Sequence, residues 1–479
     1  LDGTAMPQPL TPDLCVIGAG PGGLAAAAKA ASYGASIVLI ERGAMGGQSL
    51  THGALPLSAL CAAARRFNDL KNAWRFGVKA ADFSVNHREV GEFIESVIAE
   101  AAPNVSAERY TGLGADIIKA PAKFLGPDTV AAGNFEVKAR RFIIATGSGP
   151  LIPPIPGLDR VPYFTDETIF LHKHRIPHLL IAGAGPTALE FAQAYRRLGS
   201  DVTVIAAGPV LPRDDPELRN YLLKCLKEEG VRIVENARIE RIEPFGSNIQ
   251  AVFAVLGRSY SLEGSHLLLT LGRAPNVASL NLEAAGIKYS AQGIAVTAGM
   301  KTSNKKVYAI GDVTGATELA HAATHHAHVA LMNALFRLPL RASNETLPWI
   351  TFTEPEVAHV GMTEEAARAA HGRLTILRWP YRENERAQAE RQTGGFVKVV
   401  ASRRGKVLGA GIAGAQAGEL IQAWSLAMQK NIPLGAMAGV VAPYPTLSEM
   451  NKMASESYFL PRAQSTLARR IIGLLAKFG

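Results

Sequence analysis

Residues 14–41, LCVIGAGPGGLAAAAKAASYGASIVLIE, and residues 179–206, LLIAGAGPTALEFAQAYRRLGSDVTVIA, align without a gap at an offset of 165. Each runs from an apolar strand through a Gly-x-Gly turn into a helix, then past a glycine near the helix end (Gly34, Gly199) into a second apolar strand. That is a βαβ dinucleotide-binding frame, present twice. Gly18 and Gly183 are read as the tight turn out of the strand, and Gly20 and Gly185 as the points where backbone approaches a pyrophosphate. Gly23, with Ala188 in its place in the second copy, lets the helix pack close to the sheet while its N-terminus faces the phosphates. One such motif is weak, because a plain glycine turn reads the same way. Two in complete frames are strong.

The copies part at the end of the second strand. Glu41 stands 23 positions after Gly18, where a carboxylate accepts hydrogen bonds from ribose hydroxyls. The offset puts Ala206 at the matching position, and the nearest arginine for a 2′-phosphate is Arg213. NADH or NADPH is therefore expected at the second site with little preference, or bound weakly.

The 479 residues leave room for about three domains of ~150 residues each. A hydrophobic share of 48% against 19% charged excludes wholesale disorder. No apolar run approaches the ~18 residues of a membrane span, and no charged segment followed by an apolar run marks a signal peptide. Cytoplasmic placement is the expectation. The net charge of +9 reads as a basic surface suited to anionic cofactors. No nucleic-acid partner is expected, because stacking aromatics are only 7% of residues. Cys15, Cys61 and Cys225 are odd in number and far apart, so neither a disulfide framework nor zinc spacing exists, and each reads as a small buried hydrophobe.

Further motifs follow in order: FIIATGS at 142–148, LGRAPN at 271–276, VYAIGDV at 307–313, FTEPEVAHVGMTEEAA at 352–367 and PYPTLSEM at 443–450. With them the chain resembles the pyridine nucleotide–disulfide oxidoreductases over nearly its whole length. The resemblance implies an α/β fold: two Rossmann-like FAD/NAD(P)-binding domains plus a C-terminal α+β dimerisation domain. The expected boundaries are 1–150 with 273–342 for FAD, 151–272 for NAD(P), 343–462 for dimerisation and 463–479 for a terminal helix. It implies FAD held by Gly18, Gly20, Gly23, Glu41, Gly47, Thr146, Gly147, Gly311 and Asp312, and NADH or NADPH held by Gly183, Gly185 and Gly272. It also implies a homodimer.

The family's redox loop, of the form GGTCLNVGCIPSK, reads GGQSLTHGALPLS here from Gly46 to Ser58. Ser49 and Ala54 stand at the cysteine positions, and Ser58 at the lysine. Tyr444 replaces the histidine of the family's acid–base pair, with Glu449 kept; mercuric reductases share the tyrosine but carry C-terminal cysteines that ARRIIGLLAKFG lacks. Thiol–disulfide exchange needs a thiolate and a proton donor for the leaving sulfur, so disulfide reduction is not expected. The expected activity is hydride transfer from NAD(P)H to FAD and onward to a small external acceptor such as a quinone or dye. Glu190, beside the nicotinamide by resemblance, Tyr444, Glu449 and His52, within the altered loop, are the catalytic candidates. A non-catalytic FAD-binding homologue is the alternative. His321 and His325 share a helical face but have no local acidic or thiol partner, so no metal is expected. From Pro461 the chain reads as an amphipathic basic helix, with Leu467, Ile471, Leu474, Leu475 and Phe478 on one side, able to pack on its own dimer or to touch a membrane surface.

Overall fold

Leu14–Ile17 is wholly apolar because both of its faces are covered, as in a central parallel strand. Leu14 and Val16 face one core with Leu24, Ala27 and Leu331. Cys15 and Ile17 face the other with Phe124 and Phe142. The strand pairs in parallel with Ile37–Glu41 on one side and Arg141–Ile144 on the other. Val307–Ala309 and Ala115–Lys119 complete a five-stranded sheet. Helix Pro21–Ser32 packs on this sheet and against helix Ala320–Phe336. A smaller sheet holds Gln8–Leu10, which pairs with Phe135–Val137.

The computed structural model describes residues 8–79, 82–315, 318–463 and 465–478. The chain divides into two compact units, Leu1–Gly208 with Val234–Asn344, and Pro209–Ile233 with Glu345–Gly479. The first unit also carries the second βαβ copy. There Phe164–Thr165, His266–Leu269, His178–Ala182 and Asp201–Ile205 lie side by side in parallel. An antiparallel meander, Ala237–Phe245, Asn248–Val255 and Arg258–Gly264, packs over the core formed by Leu180, Ile242 and Phe253.

The second unit is α+β. Trp349–Thr351, Glu356–Gly361, Val407–Gly414, Phe396–Ser402 and Leu374–Pro380 form, in that order, an antiparallel sheet. Helices Ala417–Gln429 and Glu449–Glu456 flank a core around Trp424, whose indole donates to Asn451 at 2.7 Å. Helix Pro216–Glu228 belongs to this unit because of a buried ion cluster. Lys398, 3% exposed, donates to both Asp215 oxygens at 3.0 and 2.8 Å and to Glu217 at 2.8 Å, with Glu364 at 2.9 Å. Arg378 clasps Glu217 with two further bonds. Asn384 is buried: it caps helix Glu385–Ala389 and donates to the Thr446 carbonyl.

Residues 1–7 lie outside the described residues, and Gln8–Leu10 is strand. The terminal helix forms over Thr466–Leu475, capped by Ser465, with Ile471, Ile472, Leu474, Leu475 and Phe478 exposed; the Leu467 side chain lies outside the described residues. No helix among the described residues is long and apolar enough to cross a membrane.

Candidate functional site

The first Gly-x-Gly turn is forced by contact. Gly18 has φ +106°, and a Cβ on Gly23 would lie 1.8 Å from the Gly18 carbonyl oxygen, so strand and helix meet where only glycine fits. Above Gly20, the residue capping the helix, nothing lies within 4 Å of an added Cβ: the space is open at the helix N-terminus. An anion there meets free backbone N–H groups and the positive end of the helix dipole. Gly47 closes over this turn, its added Cβ 2.9 Å from Gly20 Cα. The Glu41 carboxylate accepts from the backbone N–H of Ala19 and of Gly43, each at 2.7 Å. That fixes its plane and leaves lone pairs for ribose hydroxyls.

On the far side, Thr146 and Gly147 are stitched to Asn276: the Thr146 hydroxyl donates to the Asn276 carbonyl at 2.9 Å, and the Asn276 amide donates to the Thr146 carbonyl at 3.0 Å. Gly311 and Asp312 form a tight 3₁₀ turn. Asp312 accepts from the Ser148 hydroxyl at 2.8 Å, and burial raises its pKa against the pull of Ser148 and Arg273. Open backbone at Gly20, a fixed carboxylate at Glu41 and a half-buried carboxylate at Asp312 fit a pyrophosphate, a ribose and a polyol chain respectively, the parts of FAD.

Arg273, only 10% exposed, was missed as a site residue although LGRAPN contains it. Its Nε donates to Ser148 Oγ at 2.9 Å and one Nη to the Ser148 carbonyl at 2.9 Å. The guanidinium also binds Asp166 and, at 2.7 Å, Glu167. Glu167 in turn stands 3.5 Å from His52 Nε2, and His52 Nδ1 is 2.8 Å from the Thr51 hydroxyl. A continuous polar chain thus runs His52–Glu167–Arg273–Ser148–Asp312.

At the second copy, the need for Gly183 comes from a close approach and not from a positive φ: a Cβ there would sit 2.1 Å from Thr270 Oγ1. Gly185 caps helix Pro186–Arg197 with open space above it, and Gly272 takes φ +106°. Glu190 is buried in that helix, which packs against helix Ala54–Asn72 following the altered loop. Cys61 of the latter feels the Glu190 charge, and burial first pushes its thiol up to about 12. Cys15 is also pushed up by burial, as is Cys225, and all three cysteines are free.

Arg213 lies in the second unit with its guanidinium 5.2 Å from the Trp349 ring centroid, engaged on an aromatic face. Tyr444, 70% exposed, and Glu449, opening helix Glu449–Glu456, belong to that unit too, whereas Glu190, His52 and the glycine cradles belong to the first. Among the described residues no three metal-ligating side chains converge.

Comparison with known proteins bears on the whole chain. The pyridine nucleotide-disulphide oxidoreductase model matches residues 12–327, and the dimerisation-domain model of that family matches residues 347–455. The chain belongs to this family. It is 32% identical to a mercuric reductase of Bacillus cereus, covering 92% of this chain and 70% of that one. It is also 32% identical to a dihydrolipoyl dehydrogenase of Staphylococcus aureus, covering 94% and 97%. Among solved structures, LpdA from Mycobacterium tuberculosis superposes with a TM-score of 0.86 at 26% identity, over 94% of this chain and 99% of that one. Members of the family use FAD and NAD(P)H, and the dimerisation domain supports a homodimer.

Proposed function

We propose that this flavoprotein oxidises NAD(P)H and hands the electrons to a small external acceptor, of the quinone or dye class, without a redox disulfide of its own. One observation carries the reading: both Gly-x-Gly turns leave open space at a helix N-terminus, yet Ser49 and Ala54 occupy the thiol positions and the thiols of the three remaining cysteines are pushed up, first by burial. Bound in the first cradle, FAD supplies hydride acceptance and electron transfer. The glycine turns orient the two nucleotides, and Glu190 lines the nicotinamide side. Such chemistry needs orientation and exclusion of water more than a protein nucleophile. His52 supplies a proton at the altered loop, while Tyr444 and Glu449 occupy the former acid–base position.

In this reading the helix Thr466–Leu475, with Arg469, Arg470 and Lys477 among exposed apolar residues, rests on an anionic membrane surface. Anaerobic addition of NADH or NADPH tests the activity. It should bleach the bound flavin without the long-wavelength absorbance that a thiolate lends to the family's flavin, and a screen of quinones and dyes should then restore the colour. A flavin that neither nucleotide bleaches refutes the proposal and leaves a non-catalytic FAD-binding protein.

A further inference from the structure

The chain leaves the first nucleotide frame through Ser148–Pro150 and returns to it through Arg273–Pro275. The two passages pair as an antiparallel ribbon, Ser148 opposite Pro275 and Pro150 opposite Arg273. Arg273 reaches in two directions from this ribbon. One is to Asp166 and Glu167, in the stretch leading to the second frame. The other is to Ser148, where Nε donates to Oγ and one Nη to the carbonyl, both at 2.9 Å. These bonds order one hydrogen. A guanidinium is always charged and can only donate, so Ser148 Oγ accepts from Nε and its own hydrogen is left for another acceptor. Asp312 Oδ2, at 2.8 Å, takes it. Ser148 is buried, where such bonds gain strength from the low dielectric. Burial raises the Asp312 pKa while Ser148 and Arg273 pull it back, so the same chain favours the ionised acceptor.

We propose that Arg273 is a positioning residue for FAD, acting through the Ser148 hydroxyl to orient the Asp312 carboxylate toward the ribityl chain. Its grip on Asp166 and Glu167 holds the guanidinium at the angle this requires. FAD binding is all that is needed, whichever acceptor takes the electrons.

Stepwise dilution of the FAD-loaded protein releases FAD, read as the rise in free-flavin fluorescence, and the visible circular dichroism of the flavin still bound reports its fixed orientation. Ser148→Ala should raise the FAD dissociation constant about tenfold, the loss expected of one hydrogen bond to a charged group. Arg273→Lys keeps a cation for Asp166 and Glu167 but loses the planar fork, and should raise it by about the same factor. The double variant should also lose about tenfold and not the roughly 100-fold product, because both changes break one chain. The flavin dichroism should change alike in all three. An arginine that merely braces the ribbon would lower the melting temperature and leave the dichroism as in the wild type. Should Arg273→Lys fail to fold, Ser148→Ala added to Asp312→Ala decides, and it should weaken FAD no further than Asp312→Ala alone. Wild-type affinity in Ser148→Ala, losses that multiply, or an unchanged dichroism overturns the inference.

Discussion

Replacing Lys398 with methionine removes the only cation whose Nζ meets Asp215, Glu217 and Glu364 together among the described residues. Asp215 is 1% exposed and accepts two of the bonds, so it would be left as a buried charge without its counter-ion. Breaking one side of a buried pair costs about 3–5 kcal/mol, chiefly through the charge left behind. In a unit of about 160 residues, each kcal/mol moves the melting temperature by about 2–4 °C. The variant should therefore melt about 6–20 °C lower at pH 7.5, measured by calorimetry at a fixed dimer concentration. The deficit should shrink in acid. Arg378 and Lys398 hold Glu217 down to about 2, so its contribution is present above its ordinary carboxylate range and is lost as the pH falls through about 2. As Glu217 takes up its proton the wild type loses that pair, and the gap between the two proteins narrows. Adding Asp215→Asn to the variant should recover part of the loss. A fall of under 2 °C at pH 7.5, or a deficit that widens in acid, refutes the argument.

Gly20→Ala should fold normally but bind little FAD, because its Cβ enters only the open pyrophosphate space, whereas Gly23→Ala should lose the fold itself through its clash with Gly18; yellow absorbance per protein together with a far-UV melt separates the two. Asp214 is raised to about 6 by burial against the pull of the Trp349 indole, so its ionisation weakens the fold as pH rises from about 4 to about 6. Asp214→Asn should remove that decline and gain on the order of 2 kcal/mol at pH 8 and nothing at pH 4, read from urea titrations. Glu190→Gln should weaken NADH and NADPH binding, followed by flavin fluorescence, more than it changes FAD content.

The nucleotide frames were legible because their glycines answer local sterics: Gly18 and Gly23 sit five residues apart, and their collision is written in a short stretch. Glu41 could be located by counting, 23 positions after Gly18 at the end of the second strand. His52 could be noticed but not interpreted, since its partner Glu167 and that residue's partner Arg273 come from segments with no pattern in common, 106 residues apart. The engagement of Arg213, the nearest arginine to the second frame, on the Trp349 face was not legible, because sequence shows a charge and not the ring it lies over. The assignment of helix Pro216–Glu228 to the second unit was equally hidden: by sequence it continues the NAD(P) frame, and only Lys398 reveals where its N-terminus is anchored.

That anchoring sets a timetable. Asp215 and Lys398 are separated by 183 residues, and translation adds about 5–20 residues per second. Helix Pro216–Glu228 therefore leaves the ribosome about 10–40 s before the strand that will neutralise its first turn exists. Through that interval its apolar side, Leu218, Leu222, Leu223 and Leu226, has no sheet to lie on. Nascent chains stalled before residue 396 should expose this stretch to protease and to hydrophobic holdases, even with the first nucleotide frame already assembled, and the exposure should end once the strands through Val407–Gly414 have emerged.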